Sequence, residues 1–292
     1  MLKNKIVAAV SVAALACGLA SCSSAGEDKT LTLGYMPAWT DTVSGANLLK
    51  EQFTEAGYDV ELEELSDAAV FYTALDNGDI DIFPLAWSER THKKYMDQYG
   101  ENLEDLGIGY DKAESFFAVP TYMDDVNSIS DLKGQADRFG GKNVGIEPGA
   151  GLTELSSNTV DAYGLEDEGY TLATSSTPAM LAELENAIDN QEDIVVTLWS
   201  PFWANSQYDI KRLEDPEGSM GEPENMHWLA RDGFSEQFPD VVDYLGNLTL
   251  DQEQYESLEN LIVNEYEDGD EDKAVQEWLG THGDALPKLN DA

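Results

Sequence analysis

The chain has 292 residues, of which 58 are acidic and 16 basic, for a formal net charge of -42 at pH 7. A field of that sign repels DNA, RNA and anionic lipid headgroups, which excludes a nucleic-acid-binding role. The carboxylates recur along the whole length, as in ELEEL (61–65), GLEDEGY (164–170) and NEYEDGDEDKA (264–274), so most of them form a solvated coat that suits a halophilic or salt-stressed source.

The N-terminus reads MLKNKIVAAVSVAALACGLASC, with Lys3 and Lys5 ahead of an apolar stretch from Ile6 to about Ala20. A membrane span needs roughly 20 apolar residues, so this shorter run is read as a secretory signal. Leu19, Ala20, Ser21 and Cys22 resemble the lipobox of bacterial lipoproteins, in which the cysteine becomes the lipidated first residue. The expected division is a signal peptide over 1–21, lipidation at Cys22 and an anchor linker over 22–29; the alternative is an ordinary signal peptide cut nearby, with Cys22 incidental. Cys17 leaves with the signal, so no disulfide framework is expected. The remaining chain, about 270 residues, is long enough for a sizeable core. It keeps 14 basic and all 58 acidic residues, a balance of -44.

Strands and helices then alternate. TLTLGYM (30–36) reads as a strand, and Val43, Ala46, Leu49, Phe53 and Ala56 keep helical spacing up to Gly57. DVELEEL (59–65) alternates as a half-buried strand, DAAVFYTALDNG (67–78) is a short helix stopped by Gly78, and DIDIFPLAW (79–87) is a strand. After FFAVPTY (116–122) the pattern restarts, with KNVGIEP (142–148) a strand, Leu152 to Tyr163 a helix and YTLATSS (170–176) a strand. Thr177 with Pro178 is an N-cap and first-turn pair opening a helix through Ile188, and DIVVTLW (193–199) closes the unit. From about Phe234 the chain is mostly helical, with Asp251 capping a helix that carries Tyr255, Leu258 and Leu261.

Two successive βαβαβ runs predict an α/β fold of two mostly parallel, doubly wound lobes arranged as a clamshell, with the ligand in the cleft between them. The expected parts are 30–119 as the first part of lobe 1, 120–231 as lobe 2, and 232–292 as a helical return to lobe 1. The crossings fall near Val119–Thr121 and Arg231–Gly233.

In such a fold ligands sit beyond the carboxyl ends of strands, and three of those ends carry tryptophan: Trp39 in GYMPAW, Trp87 in LAWSERTH and Trp199 in TLWSPFW. Any single tryptophan is explained by core packing, and that is the reading for Trp203, Trp228 and Trp278. Three beside one cleft can surround a methylated cation, which has no N–H to donate, at about 0.5–2 kcal/mol per contact. GIEPGAGL (145–152) is a glycine-rich turn entering a helix, whose first amides would bind an anion; a turn needing glycine for geometry alone is the alternative. His92 is placed to meet a carboxylate there. A ligand with a methylated cation at one end and a carboxylate at the other satisfies all of these groups.

The segments GYMPAWTD, NGDIDIFPLAWSERTHKKY, FFAVPTYMDDVNSISDLKG, GIEPGAGL and VVTLWSPFWANSQYDIKRLEDPEG, taken in order, resemble the substrate-binding proteins of ABC importers for glycine betaine and proline betaine. The resemblance covers most of the mature chain and implies a periplasmic-binding-protein-like clamshell of type II. It also implies a cage of Trp39, Trp87 and Trp199 for the trimethylammonium, with the amides of Gly151 and Leu152 and the His92 ring on the carboxylate. Two departures bear on specificity: Ser88-Glu89-Arg90 stands where the family often has proline, and Phe202 where it often has histidine.

The resemblance implies a non-enzymatic receptor, monomeric and extracytoplasmic, held to the membrane by its lipidated cysteine. It delivers a small zwitterionic betaine to a permease driven by a separate ATPase, for osmoprotective uptake. Choline, carnitine or an ectoine-type solute is the alternative ligand. A secreted hydrolase is the less favoured class, since there is no GxSxG, no HExxH and no mature cysteine for a nucleophile. No cofactor and no metal is expected; DGDED around Gly269 lacks the glycine placement of an EF-hand and reads as solvated acid.

Overall fold

The computed structural model describes residues 29–267 and 269–289; the expected signal peptide, Cys17 and Cys22 lie outside the described residues. The chain begins with β1 (Thr30–Tyr35), α1 (Thr40–Glu55), β2 (Asp59–Glu64), α2 (Ala68–Asn77) and β3 (Ile82–Ala86). Leu31 and Leu33 alternate inward along β1, which pairs in parallel with β2 on one side and β3 on the other. Asp67 caps α2 by accepting from Val70 N at 3.1 Å, and Gly78 ends it in the left-handed region at φ 75°, where a residue with a Cβ is strained.

After α3 (Lys93–Tyr99), β4 runs for 18 residues from Leu103 to Pro120. Its first part pairs antiparallel with β9 (Glu224–Arg231), which in turn pairs with β3. From Glu114 onward β4 pairs instead with β7 (Val196–Ser200), and at its end with β8 (Ile210–Arg212). The strand order β2-β1-β3-β9-β4-β7-β5-β6 therefore holds two layers with β4 common to both. The second layer repeats the first: β5 (Lys142–Val144), α4 (Gly151–Ala162), β6 (Thr171–Ala173) and α5 (Thr177–Asn190) lead to β7, and β5 lies parallel to both β6 and β7. Short α6 (Ala204–Gln207) follows β7. Behind β9 come α7 (Phe234–Gln237), α8 (Pro239–Asn247), α9 (Gln252–Asn260) and α10 (Glu271–His282), with α9 and α10 packed on α1. This is the α/β, type II arrangement expected.

Three local expectations differ from the structure. The cap of α5 is Ser176, whose hydroxyl accepts from Ala179 N, and Thr177 is the first helical residue. The strand expected over 142–148 stops at Val144, because the chain turns at Pro148 into α4. The cut points expected at 119/120 and 231/232 do not coincide with the change of sheet. Hydrogen bonding passes from one layer to the other between Ala113 and Glu114, and β9 belongs to the first layer, so the return lies between Arg212 and Glu224. A strand that continues from one sheet into the next leaves no break in its sequence, which hid the crossing.

Trp228 and Trp278 are fully buried, as expected of core residues, and their indole N–H groups donate to Leu248 O and Ser257 Oγ at 2.9 Å each. Trp203 is half-buried at the start of α6. No helix among the described residues is long and apolar enough to cross a membrane.

With 58 carboxylates and 16 basic residues, most acidic side chains have no cation to pair with, and their mutual repulsion works against compactness. Raising NaCl from about 0.1 M to about 2 M shortens the screening length from about 10 Å to a few ångströms. The midpoint of thermal unfolding should then rise by about 5 °C or more, the equivalent of roughly 2 kcal/mol in a domain of this size. A midpoint that stays constant or falls across the salt series would show that the coat exerts no net repulsion.

Candidate functional site

Trp87 follows directly on β3, Trp39 lies four residues beyond β1 at the N-cap of α1, and Trp199 is the fourth residue of β7, so all three indoles come from strand ends or the turns just after them. They line one cavity, enclosing about 370 Å³ of space between protein atoms when its mouth is included, together with Asp41, Thr91, His92, Ser115, Ile146, Ala150, Gly151 and Leu152. All six residues singled out as ligand contacts thus meet at one place.

The walls are fixed from behind. Trp87 Nε1 donates to Asp41 Oδ2 at 2.9 Å, and the other Asp41 oxygen accepts from Thr42 N at 2.8 Å. Burial pushes the Asp41 carboxyl up to about 6, against the lowering effect of those two bonds, so it is an anion at neutral pH. Trp199 is stacked on Phe202 with ring centroids 4.0 Å apart and 18° between planes. Phe202 therefore stands as a second aromatic layer behind the cavity wall. The indole N–H groups of Trp39 and Trp199 and the Ser115 hydroxyl are buried with no hydrogen-bond partner among the described residues. Unpaired buried donors are costly and uncommon, and these three line one cavity.

His92 sits at the N-terminal edge of α3, buried, with its ring stacked on Trp39 at 5.8 Å and 23°. Its Nδ1 is 3.3 Å from the Tyr72 hydroxyl. Burial, with the nearby Lys94 charge, pushes the imidazole down to about 3, so the ring is neutral at physiological pH. It can recognise an anion through a neutral N–H, without an ion pair.

The glycine-rich turn opens α4 at Gly151, and no side chain caps that helix start. The first-turn amides have no acceptor within the helix, which leaves them available to a ligand. Glu147 holds the turn: its carboxylate accepts from Thr177 N at 2.8 Å and Thr177 Oγ1 at 3.0 Å, while its carbonyl accepts from Thr153 Oγ1 at 2.7 Å. Gly151 has a second role beyond its amide. A Cβ there would overlap the Thr91 carbonyl oxygen and lie 2.6 Å from Thr91 Cγ2, so only glycine lets the loop after β3 meet α4.

The Ser88-Glu89-Arg90 departure is tied to β9. Glu224, buried at the start of that strand, accepts from Arg90 N at 2.9 Å, from Thr91 N at 3.2 Å and from the Thr91 hydroxyl. Glu89 accepts from Asn225 N at 3.0 Å and approaches His227 Nε2 at 3.1 Å, while His227 Nδ1 faces Asp105. Those bonds, above all to Asp105, hold the His227 pKa above its ordinary value.

The sequence reading missed Asp41, Ser115, Glu147 and Glu224. Asp41 alone had a legible signal, a carboxylate two residues after a cage tryptophan; the others look like any of the 58 acids or a single serine in a strand.

With this geometry in place, comparison with known proteins is decisive. Residues 29–281 match the family model described as the substrate-binding domain of ABC-type glycine betaine transport systems. The chain belongs to this family. Its members are the binding components of transporters and not enzymes. Crystalline lactococcal OpuAC, in its closed conformation with glycine betaine, is 36% identical, with a TM-score of 0.80 over 88% of this chain and 97% of that one. The glycine betaine/L-proline-binding protein ProX of Borrelia burgdorferi is 32% identical, with a TM-score of 0.81 over 89% and 97%. The glycine betaine/carnitine transport binding protein GbuC of Listeria monocytogenes is 34% identical over 149 residues, 51% of this chain, and this chain spans 48% of that protein.

Glu224→Ala would leave two backbone N–H groups and a hydroxyl without an acceptor beneath the cavity loop, at a cost of about 3 kcal/mol. The expected drop in unfolding midpoint is about 6–12 °C. Glu222→Ala, at an exposed position where only the carbonyl is used, should change it by about 1 °C or less. Equal effects of the two substitutions would show that Glu224 does not brace the loop.

Proposed function

We propose that this protein is an extracytoplasmic receptor that binds glycine betaine, or a related quaternary-ammonium solute such as proline betaine, and delivers it to an ABC permease driven by a separate ATPase. The observation that carries this reading is a single small cavity lined by Trp39, Trp87 and Trp199, with a neutral histidine and an uncapped helix start beside them. Three indole faces present negative π potential to a trimethylammonium, which cannot itself donate a hydrogen bond. The ionised Asp41 behind Trp87 deepens that potential. At the other end the amides of Gly151 and Leu152 and the His92 imidazole receive the carboxylate, with Tyr72 on Nδ1 leaving Nε2–H to point at the ligand.

The receptor works as two lobes divided within β4 and between β8 and β9, which close over the ligand. It acts as a monomer, anchored through a lipidated Cys22 after removal of residues 1–21. Choline is the second reading, favoured by one observation: Asp41 gives the cavity a net negative charge that rewards a net cation.

Calorimetric titration with glycine betaine, proline betaine, carnitine and choline tests the assignment directly. Trp199→Ala removes one cage wall and should weaken glycine betaine binding at least tenfold, about 1.4 kcal/mol. His92→Ala should weaken betaine by a similar factor and leave choline, which has a hydroxyl in place of the carboxylate, nearly unaffected. If His92→Ala weakens both ligands equally, the anion end is misplaced; if Trp199→Ala leaves betaine binding intact, the cage assignment fails.

Gly151→Ala keeps its amide but blocks the approach of Thr91, and should weaken betaine at least tenfold by hindering closure. Gly149→Ala, whose added Cβ meets only Asp67 Cβ at 3.7 Å, is the control and should bind within about twofold of wild type. Equal affinities for both glycine variants would remove the steric role of Gly151.

A further inference from the structure

Glu259 is completely buried at the end of α9, away from the cavity lining, in a chain whose other carboxylates are overwhelmingly solvated. Its two oxygens accept from different parts of the molecule. Oε1 takes the Thr40 hydroxyl, at the first residue of α1 and next to Trp39. Oε2 takes the backbone N–H of Trp203 at 2.5 Å, in the segment that follows β7 and its Trp199. Because α9 packs on α1 and α10, Glu259 stands with the first layer, whereas Trp203 leaves the second. One carboxylate therefore joins the two segments that carry opposite cage walls. Phe202, stacked on Trp199, is the residue immediately before Trp203, so the tie reaches the indole in one step.

We propose that Glu259 is a positioning residue that ties Trp39 to Trp199 between the two layers, and that its protonation is coupled to closure of the cavity. This rests on the receptor reading above. Burial pushes the Glu259 carboxyl up to about 8, and the negative charge of Asp41 adds to the rise while the Thr40 hydroxyl opposes it. The titratable groups facing it are Asp41 on α1 and Tyr255 and Glu256 on its own helix; Tyr255 is held well above its ordinary value, so it does not titrate in the same range.

The sign follows from linkage. Separation of the layers would hydrate the carboxyl and return it toward its ordinary value near 4.5, so the closed state binds a proton that the open state has released. A group raised in the closed state favours closure below its open-state value and loses that contribution as pH rises through about 8. Affinity for betaine should therefore decline on the alkaline side. On the acid side, protonation of Asp41 through about 6 weakens the cation site independently.

The test is glycine betaine affinity by calorimetry from about pH 5 to about pH 9, in wild type, Glu259→Gln, Thr40→Val and the double variant. Wild type should lose about tenfold between pH 7 and pH 9. Glu259→Gln, which keeps the side-chain volume and mimics the protonated carboxyl, should bind at least as tightly as wild type at pH 7, lose the alkaline limb and keep the acid limb. Thr40→Val removes a donor to the carboxylate and should shift the alkaline limb to higher pH. The double variant should be no weaker than Glu259→Gln alone, because both changes act on one tie. An alkaline limb that persists unchanged in Glu259→Gln, or additive losses in the double variant, would overturn the proposal. If wild type binds no quaternary ammonium at all, the receptor reading fails instead, and small-angle scattering of wild type and Glu259→Gln across the same pH range still decides the tie. Loss of compactness at high pH in wild type, absent from the variant, supports it; identical profiles overturn it.

Discussion

Removing a carboxylate from water costs several kcal/mol unless donors replace the lost hydration, and around this cavity the donors come from the cavity walls themselves. Asp41 takes the Trp87 indole, Glu224 takes the backbone of Arg90 and Thr91, and Glu259 takes Thr40 and Trp203. Each of these acids belongs to an element other than the loop it holds, or to the far end of the same layer. A loop at a strand end has few backbone partners of its own, so its conformation is set by whatever acceptor lies behind it. The indoles and the imidazole keep their places because buried acids leave their supports no cheaper alternative.

That dependence explains why the site is only partly legible in the sequence. Trp39, Trp87, Trp199, His92, Gly151 and Leu152 stand out because tryptophan and histidine are scarce and because strand-end position follows from the βαβ rhythm. The acids behind them do not stand out. With 58 acidic residues spread along the chain, Glu224 and Glu259 have the same local appearance as dozens of solvated neighbours. Only burial distinguishes them, and burial is a property of the assembled fold.

The same contrast holds for the fold. Segments obeying one simple period, such as α1 with its buried Ala46, Leu49 and Phe53, were readable within a residue or two. β4 was not, because its pairing with β9 shifts register between Asp105 and Ile108, again before Tyr110 and again before Ala113. Each shift flips the face that subsequent side chains present, so the alternation that marks a strand cancels over its length. Gly109 sits in the middle of this stretch because an added Cβ would meet Leu85 Cδ2 at 2.5 Å and Trp228 at 2.7 Å, and a glycine there interrupts the apolar alternation further. β9 escaped notice as well: Trp228 was assigned to the core without the strand that carries it.

The exposed and buried acids also answer to ionic strength differently. At about 1 M salt the screening length falls to about 3 Å, so the coat of surface carboxylates ceases to act over the distance that separates most of it from the cavity. Asp41, buried against Trp87, is screened far less, since its carboxylate is held away from solvent. A cation in the cavity therefore feels one local charge and three π faces in nearly the same way at low and high salt, while the rest of the net charge of -42 governs solubility and compactness. Placing recognition on groups held away from solvent allows the surface to carry an extreme charge without that charge setting the affinity.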